Sequence, residues 1–342
     1  MSATIRDIAS HCNISVSTVS KYLNGGAVRN KNRIAIEQAI SLYDYKVNTI
    51  ARGLKTKRSY TVGIVVPTID STYFGMLVSG IESVLYKNGY TSIVGSYILG
   101  DLESEKSKIE FILSKSVDAL ILVPLLTKRR HLEGVNVPII LVDRTIDDFP
   151  CDSVVINNTE IVRKAVDLML QAGHRRIGFL AGIDTVSCLR DRLRGYYEAF
   201  DSRHLKVAKE NVIICDYTME TTYTMTTQLL NMPMRPTAIM AANGQMSMGA
   251  LLAITEKGLS IPEDISFVGF DYSELAPIFH PPLYTVIQDT EAICQETVNL
   301  VLERLQNRCS YQQKQIVLDA VLYEGKSICR LTEADSSRRA RQ

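Results

Sequence analysis

Six residues of this 342-residue chain fall where strand-like runs end, and their types suit them to hold a small polar molecule. Tyr73 and Phe74 follow the run "YTVGIVVP", Asp143 and Arg144 close "VPIILVDR", Asn243 ends "TAIMAAN" and Asp271 ends "ISFVGFD". The aromatic pair can stack on the face of a sugar or a base, although Phe74 also suits a helix core. A carboxylate accepts from hydroxyls, and an arginine fork donates to hydroxyls or to a carboxylate. This is binding chemistry. For catalysis the sequence offers no G-x-x-x-x-G-K-[ST] loop, no G-x-S-x-G elbow and no H-E-x-x-H pair. Its five histidines (His11, His131, His174, His204, His280) are dispersed, no nucleophile has an evident base nearby, and His174 in "GHRRIG" reads as a surface or turn residue. The seven cysteines are odd in number, scattered and never spaced C-x-x-C, which fits reduced structural thiols. No catalytic residue, metal site or cofactor is expected.

A second chemistry is written in the charge. Residues 1–58 hold 10 Lys or Arg against 3 Asp or Glu, a net of +7, and the remainder holds 28 against 34, a net of −6. A small basic head on an acidic body points to a polyanion partner for the head. The stretch "NTIARGLKTKRS" (48–59) closes that head, with Arg52, Lys55, Lys57 and Arg58 around a solitary Leu54.

The elements that must position these residues follow from periodicity. Three short helices fit the first 45 residues: "TIRDIASHC", with Thr4 as N-cap, Asp7 completing a capping box and Ile5, Ile8, Ala9 and Cys12 on one face; "VSTVSKYL", capped by Ser15; and a third around "NRIAIEQAISLYDY", with Ile36, Ala39, Ile40 and Tyr43 on one stripe and Asn30 or Asn32 as cap. Two short helices joined by a tight turn and braced by a third make a helix-turn-helix. Its second helix enters the DNA major groove amino end first, so Val16, Ser17 and Lys21 face base edges or phosphate, while Val19 and Leu23 face the core. From Tyr60 onward continuous apolar runs alternate with helical patterns, the signature of parallel sheets covered on both faces. The runs are too many for one ordinary sheet. The expected fold is therefore an all-α helix-turn-helix headpiece followed by an α/β body of two doubly wound parallel-sheet lobes, with ligand at the carboxyl ends of strands. No stretch approaches about 18 apolar residues and no signal-peptide pattern opens the chain, so a cytoplasmic location is expected and a transport receptor is disfavoured.

"TIRDIASHCNISVSTVSKYLNG" together with "NTIARGLKTKRSYTVGIVVP" resembles the lactose/galactose repressor family of bacterial transcription regulators. "GHRRIGFLAG", "RDRLRGYYEAF", "NGQMSMGAL" and "VGFDYSELAPIFHPPLYTVIQD" extend the resemblance to about residue 330. It implies a ligand-responsive repressor of carbohydrate-utilisation genes, a homodimer on double-stranded pseudo-palindromic operator DNA, and a periplasmic-binding-protein-like body closing on a sugar or sugar phosphate. The implied domains are a headpiece at 1–46, a hinge helix at 47–59, a core at 60–331 and a disordered tail at 332–342. Within the core the first lobe takes about 60–157 and 288–317, and the second about 158–287 and 318–331. The implied DNA-binding set is Thr4, Ser15, Val16, Ser17, Thr18, Lys21, Asn24 and Asn32 of the head, then Asn48, Ala51, Arg52, Leu54 and Lys55, with Leu54 prying open a base step from the minor groove. Arg192 stands at the ligand-arginine position and joins Tyr73, Phe74, Asp143, Arg144, Asn243 and Asp271 as the implied effector-binding set; for Arg192 and Asp271 a structural ion-pair role is the alternative. The chain has Asn157-Asn158, Asn243-Gly244 and Asp271-Tyr272 where the family often has an additional acid. With three potential acids missing and Arg144, Arg190 and Arg192 kept around the cleft, the hypothesis is an anionic effector, a sugar phosphate or sugar acid, with a neutral sugar as the competing reading.

Overall fold

A computed structural model describes residues 3–23, 26–45, 58–126, 132–147, 149–271, 276–306 and 312–331. The expectations for Asn24, Asn48, Ala51, Arg52, Leu54, Lys55 and the 332–342 tail fall outside the described residues. The chain divides into two compact units, Met1–Tyr60 and Thr61–Gln342.

The first unit is a three-helix head: α1 (Ile5–His11), α2 (Val16–Leu23) and α3 (Asn30–Leu42). Thr4 and Asp7 close a reciprocal capping box, Asp7 Oδ2 accepting from the Thr4 amide at 2.7 Å. Asn13, with φ of 50°, turns the chain between α1 and α2, a left-handed conformation that asparagine tolerates better than most residues. Ile8, Ala9, Val19, Ile36 and Ala39 form the core, with Cys12, Leu23 and Ile40 packed at its margin. Burying Ile8, Val19 and Ile36 stabilises this small unit by about 1.5–3 kcal/mol each. Two details differ from expectation. Neither Asn30 nor Asn32 caps α3: Arg29 takes the extended cap geometry and makes no side-chain cap bond, while Asn30 Oδ1 accepts from Arg33 Nε at 3.2 Å and Nη2 at 3.0 Å. Tyr43 lies past the end of α3 and is 42% exposed, its ring meeting His11 edge-on, and Tyr45 packs on the core in its place.

The second unit holds two six-stranded sheets built to one plan. The first is β2-β1-β3-β4-β5-β11, from β1 (Thr61–Val66), β2 (Thr91–Ser96), β3 (Ala119–Leu122), β4 (Ile139–Val142), β5 (Asp152–Ile156) and β11 (Gln315–Leu318). The second is β7-β6-β8-β9-β10-β12, from β6 (Ile177–Ala181), β7 (Val212–Ile214), β8 (Ala238–Ala241), β9 (Ser266–Phe270), β10 (Tyr284–Ile287) and β12 (Val321–Tyr323). The interior strands β3, β4, β5, β6, β8 and β9 are buried throughout, as continuous apolar runs require, β1 and β10 are half-buried only at end residues, and the edge strands β2, β7, β11 and β12 are partly exposed. Helices α4 (Thr72–Lys87), α5 (Leu102–Leu113) and α10 (Thr290–Gln306) cover the first sheet. The second carries α6 (Asn158–Gln171), α7 (Ser187–Asp201), α8 (Met219–Leu230) and α9 (Gly244–Glu256). Two glycines explain two of the sequence motifs. A Cβ on Gly195 would lie 2.2 Å from the Thr159 carbonyl oxygen, and one on Gly249 would lie 2.5 Å from that of Met219. Each lets a helix pair (α6 with α7, α8 with α9) approach to backbone contact.

The chain passes between the sheets through very short segments: Asn157, between β5 and α6; Gln288 and Asp289, between β10 and α10; and Asp319 and Ala320, between β11 and β12. The third crossing corrects the expectation of wholly parallel sheets, because β12 runs antiparallel to β10. At the first two crossings a helix carries the chain back to the amino ends of the strands. At the third no helix intervenes, so β12 enters the second sheet from the side where β11 left the first and must run the other way.

Candidate functional site

A cavity of about 330 Å³ lies at the carboxyl ends of both sets of strands, the place a doubly wound sheet reserves for ligand. Tyr73, Phe74, Asp143, Arg144, Arg192, Asn243 and Asp271 all line it. The first four come from segments after β1 and β4, and the others from α7 and the ends of β8 and β9. Phe74 is half-buried and belongs to the cavity wall rather than to the helix core alone.

The charges are arranged in opposed pairs. Arg144 Nε donates to Asp143 Oδ2 at 3.3 Å and its Nη1 to the Pro124 carbonyl at 3.0 Å, both side chains being buried. Tyr73 Oη donates to Asp143 Oδ1 at 3.2 Å; burial, then the Asp143 and Asp271 carboxylates, push this phenol far up, so it stays protonated. Arg192, 3% exposed, donates from Nε to Asn158 Oδ1 and from Nη1 to the Ala242 carbonyl, each at 2.7 Å, and its guanidinium carbon sits 3.8 Å from the centre of the Phe270 ring. Asp271 accepts from Gln288 Nε2 at 2.9 Å; burial raises its pKa while Arg192 and Gln288 oppose that rise. Asn243 Oδ1 caps α9 by accepting from the Met246 amide at 2.8 Å, which leaves its amide nitrogen as the group it can offer a ligand. Asp143, Tyr217 and Asp271 have φ of 67°, 76° and 62°, so three cavity residues occupy the left-handed region. For tyrosine this is a costly backbone, of the kind found at ligand sites.

Three buried polar atoms at this cavity have no hydrogen-bond partner: Arg192 Nη2, Tyr217 Oη and Gln288 Oε1. Each costs about 1–3 kcal/mol unless something satisfies it. Together they present two donors and an acceptor to an occupant. Tyr217 and Gln288 were not among the sequence candidates, although Tyr217 closes "VIICDY" and Gln288 follows "YTVI". Two other expectations are corrected. Arg190 does not line the cavity; it pairs with Asp147 through two bonds of 3.0 and 3.1 Å. His174 is not a surface residue: it is fully buried, with Nδ1 2.8 Å from Thr237 Oγ1 and Nε2 3.1 Å from the Cys329 carbonyl.

In the head, Thr4, Ser15, Val16, Ser17 and Lys21 are exposed, and Thr18 and Asn32 are half-buried. Ser15 Oγ lies 2.8 Å from both Ser17 Oγ and Thr18 Oγ1 and accepts from the Thr18 amide, so a cluster of hydroxyls opens α2 beside the exposed Val16. Among the described residues no group of three or more His, Cys, Asp or Glu could hold a metal, and no helix is long and apolar enough to cross a membrane.

The family model for bacterial regulatory proteins of the lacI family matches residues 4–48, and that for a periplasmic binding protein-like domain matches residues 166–328. The HTH-type transcriptional repressor PurR of Shigella dysenteriae serotype 1 is 30% identical over 318 residues, 90% of this chain and 91% of its own length. Among solved structures, the lac repressor dimer bound to operator and the anti-inducer ONPF superposes with a TM-score of 0.81 at 27% identity, over 96% of this chain and 100% of that one. The transcriptional regulator CelR in complex with cellobiose gives 0.71 at 25% identity, over 95% and 99%.

Proposed function

This chain belongs to the lacI family of bacterial regulatory proteins, a ligand-responsive group of DNA-binding transcriptional regulators, and from that premise we propose that it represses carbohydrate-utilisation genes from the cytoplasm by binding, without catalysing a reaction. Two copies would sit on a two-fold operator, the α2 face of Val16, Ser17 and Lys21 meeting base edges and phosphate while Thr4, Ser15, Thr18 and Asn32 support the docking. The segment carrying Asn48, Ala51, Arg52, Leu54 and Lys55 would enter the minor groove, as the family resemblance of "NTIARGLKTKRS" implies.

For the effector, the supporting observation is the balance of the cavity: Asp143 against Arg144, and Asp271 against Arg192, with three unsatisfied polar atoms beside the aromatic wall of Tyr73 and Phe74. Arg190 is already matched by Asp147. An excess positive charge inside would favour a phosphate; a balanced set favours an uncharged molecule with several hydroxyls, a neutral sugar such as the cellobiose of the CelR complex. Calorimetric titration with matched neutral and phosphorylated sugars tests this, and tighter binding of the phosphorylated member contradicts it. A gel shift against the upstream region of its own gene, with and without those sugars, tests the whole reading; an intact protein that binds no DNA overturns it.

A further inference from the structure

We propose that the two lobes are latched across the mouth of the cleft by side chains, so that cleft opening, and with it effector access, depends on ionic strength. The segment after β4 runs along the first turn of α7, and its alternate residues 143, 145 and 147 each meet that turn. Asp143 Oδ2 accepts from the Cys188 thiol at 3.8 Å, the Thr145 amide donates to Ser187 Oγ at 2.7 Å, and Asp147 takes both arms of Arg190 at 3.0 and 3.1 Å. The β4 end belongs to the first sheet and α7 packs on the second, so every one of these contacts joins the lobes. The innermost is buried at the cavity wall, and the middle one joins a half-buried Thr145 to a buried Ser187. The outermost is a bidentate ion pair, with Arg190 41% and Asp147 50% exposed, where water and salt reach it. Burial protects an ion pair from screening and exposure does not, so the outer contact is the one that salt loosens. Arg190 thereby has a role distinct from ligand contact: it positions the lobe that carries Arg192.

This inference rests on the reading that the lobes open and close around an effector. Its test uses the full-length protein without DNA or sugar, so it can fail independently of the gel shift. Cys188 is 4% exposed and lines the cavity, whereas Cys294 is 2% exposed in the first lobe and bonds to the Leu77 carbonyl. Alkylation by iodoacetamide, an uncharged reagent, followed residue by residue by peptide mass spectrometry, then reports cleft opening at Cys188 and global unfolding at Cys294. Arg190→Gln should raise the Cys188 rate about two- to fivefold at low salt with Cys294 unchanged, the range an exposed ion pair supports. About 1 M salt should raise the Cys188 rate of the parent by a similar factor and leave that of Arg190→Gln nearly as it was. Exchanging the partners (Asp147→Arg with Arg190→Asp) should restore slow labelling. A Cys188 rate indifferent to Arg190→Gln and to salt overturns the latch, as does a rise that Cys294 shares or that the exchange does not reverse.

Discussion

Tyr217 holds a buried hydroxyl with no partner on a backbone that tyrosine rarely adopts, and both features cost folding free energy. Removing only the hydroxyl therefore has opposite consequences for stability and for binding. Tyr217→Phe should leave the unliganded protein as stable or up to about 1 kcal/mol more stable, while weakening effector about 5- to 10-fold; thermal melts and calorimetry on one preparation check both signs. Asp271 makes a second residue-level prediction, through pH. Burial raises its folded pKa above the unfolded value, so between the two values the folded state binds more protons and stability falls as pH rises through that window. Asp271→Asn should flatten that part of the curve, seen in denaturant midpoints from pH 3 to 7, and a slope equal to the parent's assigns the effect to another group. Strand-end position was enough to find six of the cavity residues because the sheet itself brings strand ends together, whereas Arg192, inside α7, followed from the family resemblance. Strand-end position could not find Gln288, because β10, with Thr285 in its middle and half-buried ends, does not stand out as a continuous apolar run, or place His174, whose partners Thr237 and Cys329 lie 63 and 155 residues away.

At the scale of elements the crossings between sheets carry the consequence. Each spans only one or two residues, so any change of lobe angle is absorbed by very few backbone torsions. Asn157 clips the first crossing to the third: its amide nitrogen donates to the Leu318 carbonyl at 3.0 Å, its Oδ1 accepts from the Ala320 amide at 2.9 Å, and its Nδ2 donates to Asp319 Oδ1 at 2.9 Å. A carboxylate at 157 could still accept from Ala320 but would face Asp319 as a like charge. Asn157→Asp should cost about 1 kcal/mol at neutral pH, and Asp319→Asn in the same chain should recover most of it, the exchanged pair bonding with reversed polarity; additive losses in a double-mutant cycle would deny the coupling. The continuous apolar strands were legible in sequence because burial on both faces leaves no alternation. β11 and β12 were not, being edge strands with alternating exposure whose membership depends on a partner more than 150 residues away for β11 and on the sheet-to-sheet crossing for β12. The cap of α3 was misassigned for a local reason: the extended backbone falls on Arg29, which has no side-chain acceptor.

Across the whole molecule, regulation is a coupling free energy between cavity and operator, and binding linkage makes it reciprocal: whatever factor effector imposes on operator affinity, operator must impose on effector affinity. The stretch 48–59, at the carboxyl end of the first unit, is the proposed route of that coupling, and its sequence separates two kinds of contribution. In the proposed docking Lys55 offers charge to phosphate and Leu54 an apolar wedge. Charge contributes through counterion release, about 0.9 in the log–log salt slope for each phosphate contact, whereas a wedge contributes by unstacking a base step at a cost of a few kcal/mol that the bent complex offsets. Leu54→Ala should therefore weaken specific operator binding about 10-fold or more and lessen the bend while leaving the salt slope nearly unchanged, and Lys55→Ala should lower the slope by about 0.9 with the bend kept. Gel shifts over a salt series, read alongside circular-permutation mobility for the bend, separate the two. If Leu54→Ala binds and bends the operator as the parent does, the segment is a tether, and the coupling must reach the DNA by some other contact between head and body.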